Sequence, residues 1–340
     1  MQFSSSLKVW FVMVVAGMLP AACSSGGSSN TAVPASSPAL IVAPTTLGPA
    51  TLVSFGEPNI AAPTAASLGG IAPLMASSTT PTLANAPTGT VFPLNHSELI
   101  SDPFERQVTG SANSYGVTLT FLGNKQVNGA SIATFEFKEA NIDVTLTADG
   151  IAGIIPNSGY TQIGLTTSNL NYTMLASWVT PSNNGLNVSV AGFGVSGFQT
   201  PGSALPTSGT ATYTGTGSAT AIAVVPSGFA SVKGDTSINV NFGTGSLSGS
   251  LTNMTASAGP AASPWNNVSL TGSLSGATFS GSTAATSAPS GAFSFGANAT
   301  GTFNGAFYGP NGQELGAVWS LHDSTGGGSS ALGLIGATKQ

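Results

Sequence analysis

From Gly209 to the chain end, short runs with strand chemistry recur about every ten residues, separated by Gly-Thr, Ser-Gly and Asn-Gly pairs. The runs cover 211–216, 238–242, 247–251, 268–274, the neighbours of Phe279, 293–295, 302–308, 314–321 and 332–337. This spacing predicts a closed antiparallel barrel of about eight strands. The abundance of Gly and other small residues suits the sharp coiling that closure demands. A membrane-spanning barrel would need strands of about ten residues with a continuous lipid-facing apolar band. Runs such as Gly243-Thr-Gly-Ser-Leu-Ser-Gly-Ser-Leu-Thr252 are too polar and too short for that. The expected barrel is therefore soluble.

The sharpest local signal inside this region is a hairpin. Runs 302–308 and 314–321 flank Gly309-Pro-Asn-Gly312, where Pro310 pre-sets φ, Asn311 tolerates the next position and Gly312 relieves the exit. Phe303, Phe307, Val318 and Trp319 give the hairpin at least one buried face. It carries no nucleophile–base pair, metal spacing or phosphate loop.

Upstream, period-two alternation continues. Tyr115, Val117, Leu119 and Phe121 alternate with small or polar residues, as do Ala133, Phe135 and Phe137, then Ile142, Val144 and Leu146. Gly123-Asn124 and Asn128-Gly129 read as turns between them. The pattern is a meander of antiparallel strands with one wet face, and it extends through strands at 172–178 and 186–190. No long amphipathic helix is expected between residues 88 and 200.

The chain has 340 residues but only 5% are charged, against about a quarter in an average domain. More than half of the charged residues lie between Glu98 and Asp149, and none lies between Gly150 and Val232. Strand edges are normally guarded by charge. Strands in that stretch are thus expected to be paired on both sides, or to leave one edge for a partner. A hydrophobic content of 41% supports a genuine core. Six basic residues against eleven acidic ones leave no Lys/Arg patch for nucleic acid.

The N-terminus reads as an address. Lys8 precedes an apolar run at 9–19 of signal-peptide length, too short to span a bilayer comfortably. Leu19-Pro-Ala-Ala-Cys23 then resembles a bacterial lipobox, with Pro20 where Leu is usual. Residues 1–22 are accordingly expected to be a signal peptide and Cys23 the acylated (palmitate-bearing) anchor. A sole exposed thiol would otherwise serve no purpose in an exported chain. The Ser, Ala, Thr and Pro-rich stretch 23–90 is read as a disordered tether, with 52–55 a stray strand.

Four ordered segments resemble the barrel domain of transferrin-binding protein B-like surface lipoproteins. They are Gly209-Thr-Ala-Thr-Tyr-Thr-Gly215, then Ile238-Asn-Val-Asn-Phe-Gly-Thr-Gly-Ser-Leu-Ser-Gly-Ser-Leu251, then Gly305-Ala-Phe-Tyr-Gly-Pro-Asn-Gly-Gln-Glu-Leu-Gly316, and the terminal Gly336-Ala-Thr-Lys-Gln340. In the third, Phe307, Tyr308, Gly309, Pro310, Asn311, Glu314 and Gly316 match the family motif; Gly312 and Ala317 depart from it. The resemblance implies an all-β chain: a handle domain at 91–204, similar in texture only, and a barrel domain at 205–340. It further implies an outer-membrane, surface-exposed, iron- or nutrient-acquiring lipoprotein that is not an enzyme. Its partners would be an iron- or haem-carrying protein and a TonB-dependent receptor. Alternatives are a binder of haem or another small solute, and a structural or adhesive surface protein. The family's ligand-contacting residues do not lie on the shared motifs, so none carries over.

The site candidates are few. His96, in the polar segment Pro93-Leu-Asn-His-Ser-Glu98 read as a loop, and His322 are the only histidines. Either is a conceivable haem ligand, with Tyr172, Met174 or Met254 as a second. Beside Asp323, His322 is more simply an oriented surface imidazole. Asp143, Asp149, Glu136 and Glu139 read as solvation charges on the wet face rather than a catalytic pair. Gly326-Gly-Gly-Ser-Ser330 lacks the Lys and helix of a phosphate loop, and no nucleophile elbow occurs. No resident cofactor or metal is expected.

Overall fold

The computed structural model describes residues 82–83, 86, 88–101, 118–127, 130–139, 142–147, 150–152, 162–166, 170–181, 189–226, 228–323, 325 and 329–340. The readings of Cys23, of the strand at 52–55 and of the Asn128-Gly129 turn lie outside these residues. Among the described residues the chain is built of strands, with a short 3₁₀ turn at Gly202–Ala204.

The first nine strands make two antiparallel sheets. They are β1 Val91–Pro93, β2 Asn95–Ser101, β3 Thr118–Val127, β4 Ala130–Glu139, β5 Ile142–Thr147, β6 Gly150–Ala152, β7 Gln162–Thr166, β8 Thr173–Pro181 and β9 Ser189–Gly197. One sheet has the order β1-β3-β4-β5 and the other β2-β9-β8-β7-β6. The chain passes from the first sheet to the second at Leu94, between β1 and β2, so the two sheets share a corner. Alternation puts Leu119, Phe121, Phe135 and Phe137 out of water on β3 and β4. Phe92 meets Phe135 and Phe198 edge-on at 6.2 and 5.2 Å.

The remaining strands close a barrel. They are β10 Thr210–Val225, β11 Gly228–Asn241, β12 Ser246–Ser257, β13 Ala262–Pro264, β14 Val268–Ser275, β15 Thr278–Ala285, β16 Thr300–Tyr308, β17 Glu314–Asp323 and β18 Ser329–Lys339. Eight of them run in the order β11-β10-β18-β17-β16-β15-β14-β12, and pairing of β11 with β12 completes the ring; β13 adds a short edge to β12. The interior is packed with aromatic rings, as a barrel of this strand number requires. Tyr213, Phe279, Phe303, Phe307, Trp265 and Trp319 are all buried in one cluster. Trp265 and Trp319 lie edge-on at 6.3 Å, and Phe279 meets Phe307 edge-on at 5.2 Å.

Two kinds of barrel wall can be told apart by burial. On β11 and β12, buried Val232, Ile238, Val240, Leu247 and Leu251 alternate with outward Ser237, Asn239, Ser248 and Ser250. On β16, β17 and β18 burial is nearly continuous, because the five-stranded sheet lies on their outer surface. Leu175, Phe193 and Val195 from β8 and β9 pack there with Ile222, Tyr308, Val318, Leu332 and Leu334. Met174 and Ala176 alternate with Leu175 and are themselves fully buried. The five-stranded sheet is thus the middle of three layers, which accounts for the lack of charge on β8 and β9. A charge on either face of β8 or β9 would be buried without a partner.

Three sequence expectations are corrected. Residues 293–295 form no strand: the Phe293 and Phe295 backbone groups bond to the Trp265 and Asn266 side chains and Ser294 N–H to the Gly291 carbonyl, in a loop folded over one barrel end. Gly123-Asn124 is not a turn but lies within β3, where the register shifts at a bulge and Gly123 takes φ +106°. The segment around His96 is not a loop but β2, paired with β9, His96 opposite Gly194. Leu83 and Ala86, in the stretch read as tether, are buried.

Candidate functional site

The hairpin that dominates the sequence signal is the joint between the two halves of the molecule. β16 and β17 pair from Phe303↔Trp319 to Tyr308↔Glu314 around the turn Gly309-Pro-Asn-Gly312, where Asn311 has φ +54°. Tyr213 donates its hydroxyl to the Gly312 carbonyl at 2.7 Å, tying the turn to the barrel's first strand. On its other side the turn is held by the handle. Gly309 N–H donates to the Phe198 carbonyl, Thr200 N–H to the Phe307 carbonyl, and Thr200 Oγ1 to the Gly309 carbonyl.

Three motif glycines shape the seat. A β-carbon at Gly309 would lie 2.5 Å from the Tyr172 ring, and one at Gly316 would lie 2.5 Å from Val195 Cγ1 and 2.7 Å from Thr173 Cγ2. At Gly336 it would meet Leu170 and Leu175, each at 2.9 Å. The glycines are there because handle side chains occupy the space. Gly316→Ala is expected to cost about 1–3 kcal/mol through overpacking, measured by urea denaturation. Val195→Ala in the same chain should return part of that loss. Simple additivity of the two would show that the seat has been misassigned.

Glu314 closes the joint. Its carboxylate is buried and accepts from Asn171 N–H at 2.6 Å, Tyr172 N–H at 3.0 Å and Thr173 Oγ1 at 2.9 Å. Burial raises its carboxyl above the ordinary glutamate range, although the donors at Asn171, Tyr172 and Thr173 oppose the shift. A barrel carboxylate thus gathers the donors of three successive handle residues, at the start of β8. No sequence signal links Glu314 to residues 171–173.

The far end of the barrel is closed by a clamp. Trp265 Nε1 donates to the Phe293 carbonyl at 2.8 Å, and Asn266 both accepts from Phe295 N–H and donates to the Ser287 and Phe295 carbonyls. Asp323 accepts from Gly296 N–H and from Thr325. Burial pushes the Asp323 carboxyl upward, but the donors Thr325 and Gly296 outweigh it and hold it below the usual carboxylate range. Loops 258–267 and 286–299 are therefore fixed together as an uncharged cap.

The candidate ligands are not brought together. Met254 is in the barrel core, Met174 is buried in β8, Tyr172 lies against Gly309, and His322 Nδ1 meets Ser330 Oγ at 3.2 Å across β17 and β18. Only the backbone of His96 is described. Asp143 stands opposite Lys138, Glu136 opposite Thr145 and Glu139 opposite Ile142, so the register pairs no two of these three; Asp149 lies outside the described residues. Among the described residues no three His, Cys, Asp or Glu side chains cluster as a metal site.

An eight-stranded antiparallel barrel with a filled interior, one wall occupied by a two-sheet domain, defines a two-part all-β scaffold. Residues 205–339 match the family described as the C-lobe and N-lobe beta barrels of Tf-binding protein B. Over these residues the chain is similar to a transferrin-binding protein B-like barrel domain. Similar solved structures include intact Ap-TbpB with its N and C lobes (17% identity, TM-score 0.40, covering 66% of this chain and 62% of that one). A transferrin binding protein B variant from Haemophilus parasuis Hp5 shares 18% identity at TM-score 0.41, covering 67% of this chain and 55% of that one. The isotype 1 protein from serogroup B Neisseria meningitidis shares 18% at TM-score 0.39, covering 68% and 51%. The matched regions make up less than two thirds of the length of each of these structures. No curated protein matches the chain in sequence.

Proposed function

We propose that this chain is an exported lipoprotein, anchored through acylated Cys23 in the outer membrane and displayed at the cell surface, that captures an iron- or haem-carrying protein. It would act beside a TonB-dependent receptor and perform no catalysis. The observation that carries the reading is the filled barrel. Trp265, Trp319, Tyr213, Phe303 and Phe307 occupy the interior that a small solute would otherwise use. Recognition then falls to the outer surface, where a macromolecular ligand fits better than haem. The fixed cap of loops 258–267 and 286–299 is a preorganised part of that surface, and ordering it on binding costs little. The barrel family's name supplies the class of ligand.

Iron-loaded transferrin, haemoglobin and free haem, each titrated against the purified full-length protein, separate the readings. Saturable binding of a carrier protein without a Soret shift is the expected result. A Soret shift abolished by His96→Ala would replace it with haem binding, and failure of both carriers would leave an adhesive or structural role. Cys23→Ala should move the chain out of the membrane fraction, and protease added to intact cells should remove the wild-type protein. Retention in either assay overturns the anchor or the display.

A further inference from the structure

We infer that Leu83, Ala86, Gly89 and Thr90 form a strap whose seating sets the firmness of the joint between handle and barrel. Leu83 and Ala86 are 4% and 6% exposed, a burial that a mere connecting segment has no reason to show. Leu83 N–H donates to the Asn171 carbonyl at 2.8 Å. The N–H of that same Asn171 donates to Glu314 Oε1 at 2.6 Å. The peptide unit joining Asn171 to Tyr172 thus holds the strap by its carbonyl and the barrel carboxylate by the Tyr172 N–H at 3.0 Å, and bonds chained through one peptide unit polarise one another. At the other end of the strap, Gly89 N–H donates to the Phe121 carbonyl and Phe121 N–H to the Thr90 carbonyl, both at 2.8 Å. The strap so connects the outer sheet, through β3, to the joint on the barrel wall, across the middle sheet.

Lifting Leu83, by cleavage of the chain ahead of β1 or by a partner that takes its side chain, removes the donor that holds Asn171. The segment 170–172 lies just before β8; Phe198 N–H holds the Tyr172 carbonyl and Leu170 is buried, but the Asn171 carbonyl has Leu83 as its donor and the Asn171 amide has Glu314 as its acceptor. Its release from Glu314 loosens the joint while leaving the barrel ladder intact, a local opening rather than a global one.

Hydrogen exchange on the full-length protein tests this. In Leu83→Asp the amides of Asn171 and Tyr172 should exchange at least about tenfold faster than in wild type, with a smaller change in Leu83→Ala. The amides of Ile238 and Val240, in the β11–β12 ladder on the opposite wall, should keep their wild-type rates. Unchanged exchange at Asn171 and Tyr172 overturns the proposal. Equal acceleration at Ile238 and Val240 in both variants also overturns it, because the strap would then support the whole fold and not the joint. If Leu83→Asp does not fold, Leu83→Ala decides on the same readout.

Discussion

Trp319→Ala is expected to cost about 3–5 kcal/mol, the range for removing a fully buried large aromatic from a core. Trp319 stands at the centre of the barrel, in register with Phe303 and edge-on to Trp265. Its Nε1 donates to the Thr220 and Leu334 carbonyls at 3.2 and 3.3 Å, where β10 and β18, the first and last strands of the barrel, pair with each other. Alanine would leave a cavity that the ring of strands cannot collapse to fill, since each strand is bonded on both sides. Urea denaturation should show the loss as a shifted midpoint, with Ser248→Ala on the outer wall changing stability by no more than about 0.5 kcal/mol. A Trp319→Ala cost below about 1 kcal/mol would mean that the interior is not packed as described.

The second large effect belongs to Glu314. Glu314→Ala strands two backbone N–H groups and the Thr173 hydroxyl at a buried joint, and is expected to cost about 2–4 kcal/mol. Glu314→Gln keeps an acceptor and the shape, and should cost less. The pair also has a pH signature. Because burial raises the folded carboxyl above its unfolded value, the folded state binds the proton more tightly. The stabilisation linked to that proton is full below the ordinary glutamate pKa and is lost as pH rises through the raised one. The stability of wild type relative to Glu314→Gln should therefore grow as pH falls across that window, measured by denaturation at several pH values. A difference that shrinks on acidification would show that the hydrogen bonds, and not burial, control the group.

Much of the barrel was legible because most of its wall has one wet face. The alternation of apolar and hydroxyl residues reads as strand at 211–216, 238–242, 247–251 and 268–274, whereas the second half of β10, most of β11 and the short β13 are not marked by it. The hairpin of β16 and β17 was legible through its turn, and its bounds came within two residues of those expected. What the sequence hid is what depends on distant partners. Residues 293–295 look like a strand by composition, yet the Phe293 and Phe295 backbone groups bond to Trp265 and Asn266 from another loop. The polar segment around His96 reads as a loop, yet β9, almost a hundred residues away, supplies its ladder. Gly123 punctuates a bulge, and a bulge and a turn use the same residue. The absence of charge at 150–232 is visible in the sequence, and it is compatible with strands paired on both sides or with one edge left for a partner. That both faces of β8 and β9 are covered as well is a tertiary fact. Tyr308, Gly309, Glu314 and Gly316 were recognised as a motif whose physical reason was missing, since that reason is the handle.

The glycine seat and the apolar wall around it set a rule of inheritance for the two halves. Gly309, Gly316 and Gly336 are hollows cast to Tyr172, Val195, Thr173, Leu170 and Leu175. A barrel recombined with a foreign handle would present these hollows to the wrong side chains. A barrel cut free would hold Ile222, Tyr308, Val318, Leu332 and Leu334 against water. Exchange between relatives can reshuffle the cap at small cost, but handle and barrel must pass on as a matched pair.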